Sequence, residues 1–166
     1  MAPYQIFTDA TADCSPQWLQ SLPSIGVIPM RVEIGGREYT YGPDGTITAE
    51  DFYTLQKAGN YANTSQISPI YYFRAFEPVL RSGSDILYLC FSSGMSGTFQ
   101  SAQVCAEDLR EKYPERTILC LDTLCASVGE GFLVCEAAQR QVEGYALEEL
   151  ADWVTQHRLE VCHWFT

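Results

Sequence analysis

Basic residues are scarce in this chain of 166 residues. Lysine and arginine together number 10, against 21 aspartates and glutamates, so the formal net charge is −11. Proteins that wrap nucleic acid or bind anionic membrane surfaces depend on clustered lysine and arginine. Because the sequence contains no run of these residues, we expect neither nucleic acid nor a charged membrane surface as a partner.

Long apolar runs are also missing. A membrane-spanning helix needs roughly 20 consecutive apolar residues, and no stretch of the chain approaches that length. Residues 1–9 show no basic segment followed by an apolar one, which is the pattern of a secretory signal peptide. The sequence therefore predicts a protein without a membrane span, and we expect it in the cytoplasm.

The seven cysteines form no disulfide or metal pattern. Their number is odd and no two are spaced as Cys-x-x-Cys, which argues against a disulfide framework and against a zinc knuckle. Cys90 and Cys120 lie inside apolar runs, where a reduced thiol packs as a small hydrophobic side chain. We expect reduced cysteines and no bound metal.

The chain does contain enough apolar residues for a folded core. Hydrophobic residues make up 46% of it and charged residues 19%, which is too apolar for a disordered chain. Its length is that of one typical domain. These properties predict a folded domain with a sizeable core.

Segments that predict strands alternate with segments that predict helices. Ser-Pro pairs at 15–16 and 68–69 mark helix starts, because serine caps a helix and proline suits its first turn. Thr48, followed by Glu50 and Asp51, predicts another helix start with a hydroxyl cap and acids in the first turn. Gly35 and Gly36 predict a hairpin turn, and the segment 63–67 is predicted as a polar link. The alternation predicts an α/β fold of three layers, with a mainly parallel sheet covered by helices on both faces. The predicted strands are 4–8, 25–30, 31–34, 37–40, 85–91 and 117–121.

Three polar turns follow predicted strands, at 8–13, 92–98 and 122–127. In parallel sheets, ligands bind at the carboxyl ends of the strands. The turn 92–98 is rich in serine and glycine and opens a helix, where free backbone N–H groups favour a carboxylate or a phosphate. It lacks the lysine of a Walker loop and the spacing of a dinucleotide fingerprint. A turn that only caps its helix explains the pattern equally well.

Two acidic side chains lie in the first of these turns. Asp9 and Asp13 flank Thr11, a placement that suits either metal binding or the orientation of hydroxyl groups. Hydrogen bonds of an Asx turn explain the two aspartates as well.

A serine hydrolase is an alternative interpretation of the turn 92–98. The segment Gly94–Thr98 is similar to a nucleophile elbow with Ser96 as nucleophile, although Thr98 replaces the last glycine of the motif. Ser96, Asp122 and either His157 or His163 follow the chain order of an α/β-hydrolase triad. With two histidines in the chain, this match in order is a weak one.

Several short segments together resemble the DegV family of bacterial fatty-acid-binding proteins. Their order and spacing carry the resemblance. The segments are Thr8–Asp13, Ile28–Met30, Gly35-Gly36 with Tyr39, Thr64–Gln66 with Ser68-Pro69, Ser92–Thr98 with Gln100–Ala102, Asp122-Thr123 with Ala126-Ser127, and Gly129-x-Gly131.

The resemblance implies a protein that encloses one long-chain fatty acid, with the carboxylate held by hydroxyl groups. By motif, Thr64 and Ser93 are the first candidates for that contact, followed by Ser65, Ser96 and Gly97. Such a protein resembles the lipid-carrying subunit of a fatty acid kinase. A separate catalytic subunit phosphorylates the bound acid to an acyl-phosphate for phospholipid synthesis. The resemblance thus implies a carrier that is not itself a kinase and needs no cofactor beyond its lipid.

Two departures from the family pattern stand out. Ala10 occupies a position where the family usually has serine, and we expect the family's second lobe with its Gly-Gly-Arg segment to be absent. The segment 161–166 resembles the strand that leads into that lobe. We therefore expect residues 1–166 to form the N-terminal α/β lobe. Its open face would accept a second copy as a homodimer, and a truncated, non-catalytic interaction domain is a further alternative.

Aromatic residues are candidates for the contact with an acyl chain, and they serve equally well as core residues. These residues are Phe52, Tyr53, Phe73, Phe76 and Phe99.

Overall fold

The computed structural model describes residues 3–22 and 25–164. Within these ranges the chain forms strands, α-helices and one 3₁₀ turn, Ala10–Ala12. The strands are β1 (Tyr4–Asp9), β2 (Ile25–Ile28), β3 (Met30–Ile34), β4 (Arg37–Tyr41), β5 (Ala62–Thr64), β6 (Asp85–Cys90) and β7 (Ile118–Asp122). The helices are α1 (Pro16–Ser21), α2 (Ala49–Lys57), α3 (Pro69–Arg81), α4 (Thr98–Lys112), α5 (Ser127–Val142) and α6 (Leu147–His157).

The main sheet has four parallel strands in the order β2-β1-β6-β7. Successive side chains of β6 point to opposite faces, so Tyr88 packs with α3 and α4 while Leu87 packs with α5 and α6. Both side chains are fully buried, as expected of a central strand covered on both faces. The predicted three-layer α/β fold is confirmed.

The predicted helix starts are confirmed. The Ser15 hydroxyl accepts a hydrogen bond from Trp18 N at 3.2 Å, and the Thr48 hydroxyl accepts one from Asp51 N at 3.1 Å. Each cap satisfies a backbone N–H that has no partner within its helix. Ser68 precedes α3 without a side-chain cap, and Pro69 supplies the first residue of that helix.

A second, antiparallel sheet has the order β4-β3-β5. Gly35 and Gly36 form its hairpin turn with φ of 62° and 71°, which glycine adopts without steric cost. The predicted strand 25–30 divides at Pro29, because proline has no N–H for a ladder, and Met30 begins a strand of the other sheet. The predicted polar link 63–67 is wrong in its first part, since Thr64 pairs with Val32 of β3.

The remaining expectations concern the cysteines and the end of the chain. All seven cysteines are free thiols. Val161–Trp164 do not form the strand expected there, and residues 165 and 166 lie outside the described residues. Within the described ranges, no helix is both long and apolar enough to pass through a bilayer.

Candidate functional site

The carboxyl ends of β1, β6 and β7 lie side by side, and the three predicted polar turns meet there. Thr123 donates to the carbonyl of Cys90 from both its N–H and its hydroxyl, at 3.1 and 2.7 Å. The Ser92 N–H donates to the carbonyl of Cys125 at 2.9 Å. These bonds join the turn after β6 to the turn after β7.

Ser93 is exposed in the turn after β6 and is bound to Asp122, the last residue of β7. Its hydroxyl donates to Asp122 Oδ2 at 2.5 Å, and its N–H donates to Oδ1 at 3.1 Å. Leu124 N donates to the same Oδ1 at 3.0 Å. A hydroxyl has a single hydrogen, so Ser93 must turn away from Asp122 before it can donate to a ligand carboxylate.

Ser96 and Gly97 lie directly before α4. Thr98 N donates to Ser96 Oγ at 3.2 Å, and the hydroxyls of the two residues are 2.9 Å apart. Gly97 caps α4 without a side chain, and a Cβ atom there would lie 2.2 Å from Gln66 Oε1. Glycine therefore allows Gln66 to approach the start of the helix.

The segment that carries Thr64 and Ser65 runs into the same place. Ile67 N donates to Thr98 Oγ1 at 3.3 Å, and the Ser101 hydroxyl donates to the Ile67 carbonyl at 2.7 Å. Thr64 and Ser65 are both exposed, and neither side chain makes a hydrogen bond within the described residues. We call Thr64, Ser65, Ser93 and Ser96 the hydroxyl rim.

A buried carboxylate anchors the start of the turn after β6. Asp9 is fully buried, and its Oδ2 accepts from Tyr88 OH at 2.8 Å and from Phe91 N at 3.2 Å. The Tyr72 hydroxyl lies 3.2 Å from Tyr88 OH and 3.3 Å from the Thr98 carbonyl, and its single hydrogen can be donated to one of them at a time. Asp9 thus holds Phe91, the first residue of the turn, directly.

The Thr11 backbone N–H and hydroxyl both donate to Asp9 Oδ1. The Asx turn and the orientation of a hydroxyl, which the sequence left as alternatives, are therefore both present. Burial raises the pKa of Asp9 above its ordinary value, and its four hydrogen bonds oppose that shift.

Glu130 is a second buried carboxyl group beside Asp9, and its burial was not indicated by the sequence. It is the middle residue of Gly129-x-Gly131 and is fully buried. Its carboxyl oxygens contact the hydroxyls of Thr8 at 3.0 Å and Thr11 at 3.1 Å. Burial, reinforced by repulsion from Asp9, raises the pKa of Glu130 well above its ordinary value.

Gly131 explains how α5 comes close enough for this contact. A Cβ atom at Gly131 would lie 2.5 Å from the carbonyl oxygen of Ala12 in the 3₁₀ turn. The missing side chain therefore lets α5 pack directly on that turn. We call Asp9, Thr11, Tyr88 and Glu130 the buried cluster.

The side chains of the alternative hydrolase triad are not assembled. Ser96 contacts Thr98, and Asp122 accepts from Ser93 and Leu124. His157 Nδ1 contacts the carbonyl of Trp153 within α6. The chain order suggested by the sequence is thus not matched by hydrogen bonds that join Ser96, Asp122 and His157.

The candidate aromatic residues divide between core and surface. Phe76 is fully buried, with its ring 5.0 Å from that of Phe7, so it belongs to the core. Tyr53 is 58% exposed, while Phe73 and Phe99 are half-buried against the core. Among the described residues, no group of three or more metal-ligating side chains is placed to hold an ion.

Comparison with known proteins identifies the family. A family model described as "Uncharacterised protein, DegV family" matches residues 3–166. The chain belongs to the DegV family. A DegV domain-containing protein of Clostridium perfringens is 36% identical over 166 residues, covering 100% of this chain and 57% of the relative. The chain thus spans about half the length of the curated DegV relatives that it matches.

Solved structures of DegV proteins share the fold. One, described as fatty acid binding of a DegV family protein from Thermus thermophilus, matches with a TM-score of 0.80 at 29% identity, covering 96% of this chain and 54% of that one. The Fatty Acid Kinase (Fak) B3 protein of Streptococcus pneumoniae, loaded with linoleic acid, also has a TM-score of 0.80. The two chains are 19% identical, and the match covers 95% of this chain and 54% of the Fak B3 chain. This likeness shows the shared fold.

Proposed function

We propose that this chain is the fatty-acid-binding lobe of a lipid carrier. The convergence of two segments carries the proposal: the Ile67–Thr98 and Ser101–Ile67 hydrogen bonds bring the segment of Thr64 and Ser65 to the turn of Ser96 and Gly97. The family resemblance names both segments as the head-group site. The fatty-acid binding of the Thermus thermophilus DegV protein supports the same ligand class.

The chemistry of the rim suits a carboxylate that must stay accessible. Thr64, Ser65 and Ser93 are exposed hydroxyls, which hydrogen-bond an anion without the strong attraction of a lysine or arginine. An acyl chain gains about 0.8 kcal/mol for each buried CH₂ group. In our proposal the acyl chain therefore supplies most of the affinity, and the hydroxyls orient the head group.

We further propose that the bound acid is presented to a separate kinase subunit, which phosphorylates the carboxylate. This step rests on the family resemblance and on the description of the Streptococcus pneumoniae neighbour as a Fatty Acid Kinase B3 protein. It assigns the chain a carrier role without catalysis of its own. The one-lobe organisation of residues 1–166 stays part of the same proposal.

The test is the lipid content of the purified protein, measured by solvent extraction and mass spectrometry. We expect a long-chain fatty acid in the wild type and its loss from Thr64→Ala/Ser93→Ala. The matched control is Ser82→Ala/Thr117→Ala, because both residues lie before the amino ends of their strands, whereas the proposed site lies at the carboxyl ends. Equal retention in the two double variants would contradict the assigned site.

Two other outcomes would favour the alternatives. A lipid-free protein that hydrolyses an activated ester, with the activity lost in Ser96→Ala, would support a hydrolase instead. A lipid-free, inactive protein that dimerises with increasing concentration would support an interaction domain.

A further inference from the structure

The buried cluster holds two carboxyl groups that share one threonine hydroxyl. Thr11 Oγ1 contacts Asp9 Oδ1 and lies 3.1 Å from Glu130 Oε2. A hydroxyl carries one hydrogen and can donate it to a single acceptor at a time. If both carboxyls were ionised, one of these two contacts would join oxygen to oxygen with no hydrogen between them.

Hydrogen-bond donors are distributed unequally between the two carboxyl groups. Asp9 receives four donors, namely the Tyr88 hydroxyl, the Phe91 N–H and both the N–H and the hydroxyl of Thr11. Glu130 receives one donor that is not shared, the Thr8 hydroxyl at 3.0 Å. A carboxylate is stabilised by donors, and a buried carboxyl with few of them keeps its proton.

We propose that Glu130 is a neutral carboxylic acid at neutral pH and a positioning residue for the head-group site. Its proton is donated to Thr11 Oγ1, and the Thr11 hydrogen is donated to Asp9. Asp9 then has a fixed set of four donors, and through Phe91 it holds the start of the turn that carries Ser93 and Ser96. The positioning role in ligand binding rests on the proposed function, whereas the protonation state does not.

The surroundings of Glu130 favour the neutral form. The titratable groups that face it are acids, and the ring of His163 lies against Gly129. The acids are Asp9 from β1, Asp13 and Cys14 after the 3₁₀ turn, Cys90 at the end of β6, and Cys125 in the turn after β7.

Nuclear magnetic resonance of wild-type protein labelled with ¹³C at the glutamate carboxyl carbon tests the protonation state directly. We expect one glutamate resonance to keep the chemical shift of a protonated acid at neutral pH. That resonance should disappear in Glu130→Gln and stay in the exposed control Glu143→Gln. Ordinary titration of every glutamate would overturn the proposal.

The pH dependence of urea unfolding gives a second measurement. Folded Glu130 keeps a proton that the unfolded chain releases above its ordinary pKa of 4.5. The wild type should therefore lose stability as pH rises above about 5, by up to about tenfold in the unfolding equilibrium constant per pH unit. Glu130→Gln should lose this contribution and Glu143→Gln should keep it; equal slopes in wild type and Glu130→Gln would contradict a neutral Glu130.

Amide hydrogen exchange and fatty-acid retention test the positioning role. The glutamine amide can supply a carbonyl acceptor for Thr8 and an N–H donor for Thr11, as a neutral acid does, so Glu130→Gln should retain fatty acid within about twofold of wild type. Glu130→Leu should retain about tenfold less fatty acid than the wild type. It should also speed hydrogen exchange at Phe91 N–H more than at Leu87 N–H in the middle of β6. Equal acceleration at both amides would overturn the positioning role. A wild type without fatty acid would overturn the proposed function alone.

Discussion

The buried cluster and the hydroxyl rim are both connected to the turn after β6 and are built in opposite ways. Asp9 and Glu130 are fully buried, and their oxygens are occupied by donors or by a shared proton. Thr64 and Ser65 in the rim are exposed, with side chains that make no hydrogen bond in the described residues. Interior polar groups need partners because burial without them is costly, whereas surface hydroxyls have water and can exchange it for a ligand.

Ser93 and Asp122 lie between these two extremes. Ser93 is exposed, yet its hydroxyl is already bound to Asp122. In our proposal the cluster maintains the shape of the turn after β6, and the rim contacts the ligand. Substitutions in the cluster should therefore change stability, and substitutions in the rim should change binding.

The largest loss of stability is expected for Asp9→Asn. The amide would place an NH₂ group among four donors, so at least one donor faces another in a buried site. Breaking a buried charged network in this way costs about 3 kcal/mol. Urea unfolding measures this loss in the free energy of unfolding, and Asp44→Asn in the exposed turn after β4 is the control. A loss as small as that of the control would show that Asp9 is not an anchor.

Gly131→Ala should cause the second largest loss of stability, about 2 kcal/mol in the free energy of unfolding. Its Cβ would meet the Ala12 backbone oxygen at 2.5 Å, and backbone cannot move aside without shifting the whole turn. Gly129→Ala is the matched comparison in the same helix, because the nearest atoms to its Cβ would belong to the side chain of His163 rather than to backbone. Thermal unfolding of both variants would test this order, and a larger loss at Gly129 would refute it.

Asp122→Asn tests the boundary between cluster and rim. Its carboxylate is half-buried and accepts from two N–H groups and the Ser93 hydroxyl, so we expect a loss of about 1 kcal/mol. Fatty-acid retention should change as well, because the amide alters the orientation of Ser93. Retention identical to wild type would place Ser93 outside the binding site.

The smallest effect on stability is expected for Thr64→Ala/Ser93→Ala, at about 0.5 kcal/mol or less. Its unfolding curve in urea, without added lipid, should nearly overlay that of the wild type, even though lipid retention falls. A loss close to that of Asp9→Asn would remove the distinction between rim and cluster.

Several features followed from local sequence because their physical causes are local. Ser15 and Thr48 cap their helices through hydroxyls three residues from the N–H groups they satisfy. The paired glycines of the β3–β4 hairpin have positive φ wherever such a turn forms. The apolar run of β6 predicted burial on both faces, since each of its side chains must leave water.

Other features were out of reach because they depend on distant partners. β5 is short and polar, and it is a strand only because Val32 and its neighbours offer free backbone groups. Glu130 in the first turn of a helix resembles an ordinary exposed acid that complements the helix dipole. Its burial results from the contact of α5 with the 3₁₀ turn, more than a hundred residues earlier in the chain.

The sequence by itself therefore determined the α/β fold, the polar turns at the strand ends and the hydroxyls proposed for the ligand, because periodicity, caps and motifs are properties of neighbouring residues. Tertiary structure alone decided that Thr64 and Ser65 join the turn of Ser96, that Ser93 is bound to Asp122, and that Asp9 and Glu130 form one buried cluster. Those outcomes arise from side chains far apart in the chain that meet only when the sheet and its covering helices have packed.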